Sequence, residues 1–372
     1  DGIWLLPFVL CALAFYVFCV FNLKENLSQK FLKSSLALIP FAILGAFALV
    51  FCSLNFAYYG RFVVSDFTSK DFNCAIGAFS RADDTGAHRG VFVPYETRKE
   101  IYEKVPTAKK LGEALETDGY YGSFGNIKTK EFGGGGFYWA LRSAAESAGL
   151  TPDAITAKNF YQTLADDINH ACDSGAIKTE NGKINSTMMP FQPEYILPTL
   201  KEMASSFKTL FLFEQTNPFS TKLCVFAKET EQIDEIESFL HTKCTIAAQA
   251  NTDLPYLSPL QNIFSKVLNI ITFLFRILAF PCGIFAIIYL FSCIKTFFNG
   301  FKTKLFSVKF MGAVVYIGVF ASFIMRVAMI SYVEAVAFNI GTYLMYLSST
   351  APLMLILFAI GSLKLLEKFE GK

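Results

Sequence analysis

Charge is what this chain has least of. Only 17% of its 372 residues are Asp, Glu, Lys or Arg, where a soluble domain carries about a quarter. Histidine occurs three times and tryptophan twice. There is no CxxC pair and no Cys/His spacing suited to zinc, which argues against a structural zinc site. The one glycine-rich stretch, "DGYYGSFGNIKTKEFGGGG" (118–136), lacks both the GKS/GKT ending and the spaced GxGxxG pattern of the nucleotide-binding loops. No motif implies a cofactor, and none names a reaction.

What fills the chain instead is apolar. It is 53% hydrophobic and 16% aromatic, with a mean hydropathy of +0.40, and the apolar residues are gathered in blocks. Long runs lie at about 3–21, 36–57, 264–293, 310–330 and 338–363. Each can supply the roughly 20 helical residues that cross a bilayer core. The expected fold is an α-helical integral membrane protein with about five transmembrane helices and an inserted, helix-rich α+β extracytoplasmic domain. Residues 1–59 would hold two spans, 60–262 the external domain, and 263–372 three spans and a cytoplasmic tail. The opening "DGIWLLPFVLCALAFYVFCVF" has no basic n-region and no small-residue cleavage site, so it does not read as a signal peptide. It reads as a start inside a longer protein with further spans upstream; a five-span protein is the plainer alternative.

Basic residues orient the spans, since Lys and Arg collect on the cytoplasmic side. The segments "NLKENLSQKFLK" (22–33), "KTFFNGFKTKLFSVK" (295–309) and "KLLEKFEGK" (364–372) are lysine-rich, whereas "SYVEAVAFN" (331–339) has no base. That alternation puts 60–262 outside and the C-terminus in the cytoplasm. Residues 60–262 hold 20 Lys/Arg and 26 Asp/Glu, a net of −6, which leaves 13 basic and 5 acidic residues elsewhere. An acidic external domain lacks the basic footprint that nucleic acid requires. The expected partners are the bilayer and an envelope glycan or lipid head group.

Within 60–262, the spacing predicts helices over 93–105 and 107–116 with Pro106 between them. The stretch "YYGRFVVSDFTSKDFNCAIGAFS" (58–80) reads as mixed extended structure. A helix follows the glycines, closed by Gly149; another opens at Thr151, Pro152 and Asp153 and closes at Gly175. The run "EYILPTLKEMASSFKTLFLFEQ" starts helical and turns strand-like at "TLFLF". "KLCVFAKE", "QIDEIESFLHT" and "CTIAAQA" read as strand, helix, strand, with Cys224 and Cys244 as the disulfide pair to test first.

Candidate site residues fall into four groups. The glycine run before "FYWALRS" offers backbone amides and a helix dipole to an anion, with Arg142 a turn and a half onward; a mobile hinge that lets Phe137, Tyr138, Trp139 and Leu141 pack is the alternative. Trp139 and its neighbours also suit a sugar ring or lipid head group. Asp83, Asp84, His88 and Arg89 in "SRADDTGAHRG" are the residues for acid/base work or cation binding, against a solvated turn. Asp166, His170 and Asp173 share a helix face, read as metal-binding or simply polar. Arg276 and Arg326 lie in apolar runs, where a charge is costly and points to function or to a structural ion pair. Glu334 lies two turns beyond Arg326.

Three stretches, "GGGGFYWALRSAAESAGL", "FYQTLADDINHACDSGAI" and "RVAMISYVEAVAFNIGTYLMYLSSTAPLMLI", resemble the C-terminal half of a family of uncharacterised polytopic bacterial membrane proteins. The resemblance implies upstream spans, an extracytoplasmic helical domain and a final pair of spans. It brings no activity and no catalytic residues. Two functions from different classes therefore stand. One is a membrane-anchored external domain that binds an envelope component, lipid or protein partner. The other is part of a lipid-linked, polyprenyl-phosphate-sugar type glycosyltransferase with Asp83 and Asp84 as local acids; a transporter built on Arg276 and Arg326 is a weaker third.

Overall fold

In the computed structural model the described residues are 25–82, 90–179, 191–215, 259–303, 307–338 and 344–369, with isolated positions between 13 and 21 and between 224 and 246. They are overwhelmingly helical. Three helices are long and apolar enough to cross a membrane: Ile39–Tyr59, Asn262–Thr303 and Val308–Ala337. Most of the apolar run 3–21 lies outside the described residues. The chain divides into two compact units, one of Leu13–Glu202 with Ser331–Gly341, the other including Met203–Ile330 with Thr342–Lys372.

The first unit begins with α1 (Leu27–Leu36) and the apolar α2 (Ile39–Tyr59). Gly60 ends α2 in the left-handed region, φ 70°, where a side chain is strained. α3 (Lys70–Arg81) replaces the second half of the extended stretch expected over 58–80. Its local signals are helical: the Ser69 hydroxyl accepts from the Phe72 amide, and Asp71 lies in the first turn. Phe72, Ala75, Ile76 and Phe79, at i, i+3, i+4 and i+7, are all buried. They belong to one core with the buried face of α8 (Ala154–Asp173), where Phe72 meets Tyr161 edge-to-face at 5.0 Å. The cap of α8 is Asp153 rather than Thr151, because its carboxylate accepts from the amides of both Ile155 and Thr156. Gly175 follows with φ 73°.

α4 (Tyr95–Lys104) and α5 (Pro106–Leu115) are separated at Val105 and Pro106, as the proline demands. The glycine-rich segment is not an open loop. It forms α6 (Asp118–Phe124), a two-residue antiparallel pair of β1 (Gly125–Asn126) and β2 (Glu131–Phe132), and the first turn of α7 (Gly134–Ser147).

The second unit takes the C-terminal half of α9 (Ile196–Phe211), with β3 (Cys224–Val225), β4 (Thr245–Ile246), α10 (Pro259–Thr303), α11 (Val308–Val333), the short α12 (Leu344–Leu347) and α13 (Ala351–Phe369). β3 and β4 pair in parallel, with Cys224 opposite Thr245, which agrees with a crossover between them. "TLFLF" is not a strand: α9 stays helical through Phe211. Leu210 is fully buried, Phe207 meets Phe323 at 5.8 Å and Phe211 meets Phe358 at 5.5 Å, so a helical 3–4 spacing of apolar contacts wins over β propensity. α10 and α13 approach closely at Gly361, where a Cβ would come within 2.6 Å of the Ala286 Cα. The Tyr316 hydroxyl of α11 reaches the carbonyls of both Ala286 (3.0 Å) and Leu357 (3.1 Å). The segment 294–309 is also less of a loop than expected, since α10 continues to Thr303 and α11 starts at Val308.

Candidate functional site

The glycine run is a packing device. Gly133 caps α7, its amide donating to the Phe124 carbonyl at 3.1 Å. The Gly134 amide donates to Gly90 O at 2.7 Å, and the Gly90 amide donates to Val336 O at 2.9 Å. Val336 lies in a π-helical turn, Glu334–Phe338, that packs on the start of α7. A Cβ at Gly134 would lie 2.9 Å from both the Cα and the carbonyl oxygen of Ala337, and one at Gly136 would overlap the Phe124 carbonyl oxygen. Three backbones therefore meet where only glycine fits. The first two amides of the run are spent on carbonyls, and Gly134 and Gly135 are buried. Neither a mobile hinge nor an anion loop at those amides survives. Phe137 and Leu141 enter the core, as the packing alternative expects.

Sequence reasoning passed over the most buried cation. Arg98 is fully buried and uses its guanidinium as a hub. Nε and Nη2 donate to the two Glu116 oxygens at 2.8 and 3.1 Å, Nη1 donates to Val93 O and Glu131 Oε2 at 2.6 and 3.3 Å, and Nη2 donates to Lys130 O at 2.7 Å. The hydroxyls of Tyr102 and Tyr121 also donate to Glu116, and the Tyr95 amide donates to Glu131. Phe132 lies under the guanidinium, 4.7 Å from its ring centre. Burial pulls the Arg98 guanidinium down, but the Glu116 hydrogen bonds and charge outweigh it and leave it above its ordinary value. Burial, reinforced by Glu116, pushes the Tyr102 and Tyr121 hydroxyls up, so they stay protonated donors. With all its partners in place this knot holds the fold together.

A second cluster surrounds the end of α2. Asn55 Nδ2 donates to Val63 O (2.7 Å) and Val64 O (3.2 Å), folding the following segment back on the helix. The buried Arg61 grips both oxygens of Asp71 at 2.7 and 2.9 Å. Arg142 does not serve the glycine run; it pairs with Asp66 through Nη2 at 2.9 Å and Nε at 3.2 Å. Beside that pair, Phe67 stacks on Trp139 with ring centres 4.7 Å apart. The Ile155 side chain covers Gly60. Around these contacts Tyr58, Tyr59, Phe62, Val64, Trp139 and Ile155 are all exposed, with Tyr58 at 79% and Trp139 at 46%.

Asp83, Asp84, His88 and Arg89 lie outside the described residues, between an Ala82–Thr179 bridge and the Gly90 junction. Cys244 lies outside them too, so the Cys224–Cys244 pairing has no geometry here. On α8, Asp166 and His170 are exposed, and Asp173 is drawn away to Arg81. The Arg81 hydrogen bond holds the Asp173 carboxyl below the usual Asp range. A depressed carboxyl stabilises the fold above the unfolded-state value, and that stability is lost as the pH falls through the folded one. Asp173→Asn should therefore flatten the acid side of a plot of melting temperature against pH, measured on the whole chain in detergent.

Arg276 Nε donates to Leu212 O at 2.5 Å, a basic side chain on the carbonyl just past α9. α10 has 45 residues, twice the length a bilayer core needs at about 20. Arg276 stands 27 residues before the end of α10 at Thr303. Arg326, half-buried on α11, donates from Nε to Ser349 Oγ at 3.1 Å. No family model, curated protein or solved structure matches this chain.

Proposed function

We propose that this is a multi-pass membrane protein of a bacterial inner membrane, with five spans, residues 60–262 outside and the C-terminus in the cytoplasm. Its external part binds envelope lipid through the face built around Trp139. The observation that carries this reading is the packing of Ile155 on Gly60 at the end of α2, a helix of membrane-spanning length, with exposed Tyr58 and Tyr59 in its last turn. Tyr and Trp gather where bilayer meets water because their rings are apolar and their tips polar. Exposed Tyr58, Tyr59 and Trp139, with exposed aliphatic Val64 and Ile155 and the part-exposed Arg142–Asp66 pair, supply side chains of that kind. The acid-rich composition of 60–262 suits an external location.

Trp139 is itself the probe. The chain has two tryptophans, so Trp4→Phe leaves Trp139 alone. Reconstituted into phosphatidylcholine vesicles, that variant should be quenched by lipids brominated near the glycerol and far less by those brominated at the chain ends. Equal emission in brominated and plain vesicles would overturn the proposal.

A further inference from the structure

Arg326 lies 18 residues into α11, whose first residue is Val308, about 27 Å along a helix axis. The hydrocarbon core is about 30 Å thick. With Lys309 anchoring the start of α11 at one head-group layer, Arg326 reaches the opposite one. α13 supports the same level. It starts at Ala351, beside the Ser349 that Arg326 touches, and carries Lys364 toward its far end.

Among the described residues Arg326 is under-used as a donor. Its one hydrogen bond uses one of five guanidinium N–H donors, and among the described residues it has no carboxylate partner. A guanidinium stays charged at ordinary pH, and at the level of the head groups an anion is its fitting partner. Ser349 stands just before the N-terminus of α13, a helix of 19 residues whose positive dipole end also favours an anion. Pro352 sits in that first turn, as suits a helix start. The second, independent sign is Thr350. It is fully buried, and its Oγ1 has no hydrogen-bond partner. A buried hydroxyl without a partner is unfavourable, and a ligand oxygen would satisfy it. Ser349 is exposed and Arg326 half-buried, so the place can be reached from outside.

We infer that Arg326, Ser349, Thr350 and the N-terminus of α13 form a site for a phosphate group at the membrane interface. The guanidinium supplies charge and paired donors, as Arg does for phosphate generally. The hydroxyls and the helix end supply the remaining donors. The phosphate can belong to a lipid head group or be free in solution, and the two sources are separable.

The test uses the whole chain in a neutral detergent, titrated in one arm with inorganic phosphate and in the other with phosphatidylglycerol, with phosphatidylcholine as the reference. Melting temperature is the readout. A rise with phosphatidylglycerol alone assigns the site to a lipid; a rise with inorganic phosphate assigns it to a soluble ligand. Arg326→Gln should weaken the response at least about tenfold, the loss of a charge-assisted pair. Thr350→Val guards against misfolding: it removes an unsatisfied hydroxyl, so the unliganded melting temperature should hold or rise while phosphate or lipid affinity falls several-fold. No response in either arm, or equal affinities in wild type and both variants, overturns the inference.

Discussion

Replacing Arg98 by Met is expected to cost about 3–5 kcal/mol, the usual penalty for removing one partner of a buried ion pair. The reason lies in what remains. Glu116 and Glu131 would stay on the core side of α5 and β2 with no cation between them, and the Val93 and Lys130 carbonyls would lose their donor. Since a whole domain is stable by about 5–15 kcal/mol, the α4–β2 region should open or fail to fold. Hydrogen exchange over peptides 95–132 of the intact protein is the direct measurement. Protection there should drop by orders of magnitude, while the α10 and α13 peptides keep theirs. Arg98→Met combined with Glu116→Leu and Glu131→Leu should regain part of the loss, because no bare carboxylate is then left behind. Unchanged protection in the single variant would show that the knot is incidental.

The second large effect is expected at Gly136. An added methyl overlaps the Phe124 carbonyl oxygen, and backbone cannot rotate aside as a long side chain can. Overpacking of this kind costs about 1–3 kcal/mol, occasionally more. Gly136→Ala should therefore lower the melting temperature of the full chain and expose the 118–136 segment to protease. Gly119, in α6, is the control: nothing lies within 4 Å of its would-be Cβ. Gly119→Ala should be neutral or stabilise by about 0.4–1 kcal/mol through the unfolded chain's entropy. If both substitutions behave alike, close packing is not what the glycine run is for.

The contrast between these glycines shows what could be read early and what could not. Gly149 and Gly175 announced themselves as helix ends because that role is local, and both have positive φ. Pro106 parted two helices for the same kind of reason. The run 133–136 serves contacts with Phe124, Gly90 and Ala337, the last of them two hundred positions away, and no local pattern carries that. Arg98 was invisible on the same grounds. It sits in "ETRKE", where every neighbour looks like a solvated helix face, and its carboxylate partners lie 18 and 33 residues on. Arg326 could be noticed, because an arginine in an apolar run is conspicuous by itself. Its partner Ser349, 23 residues away across a turn, was not.

The sequence by itself determined the helical class, the apolar blocks, the approximate ends of α4, α5 and α8 and the end of α7, because hydropathy, proline and glycine act over a few residues. It misjudged the second half of 58–80 and "TLFLF", where strand-prone residues lie on the buried side of a helix and packing overrides propensity. Only the tertiary structure decided which charges are buried, which glycines are crowded and which aromatics stay in the open. Those outcomes depend on what stands across the core, and desolvation and steric overlap are set by neighbours in space.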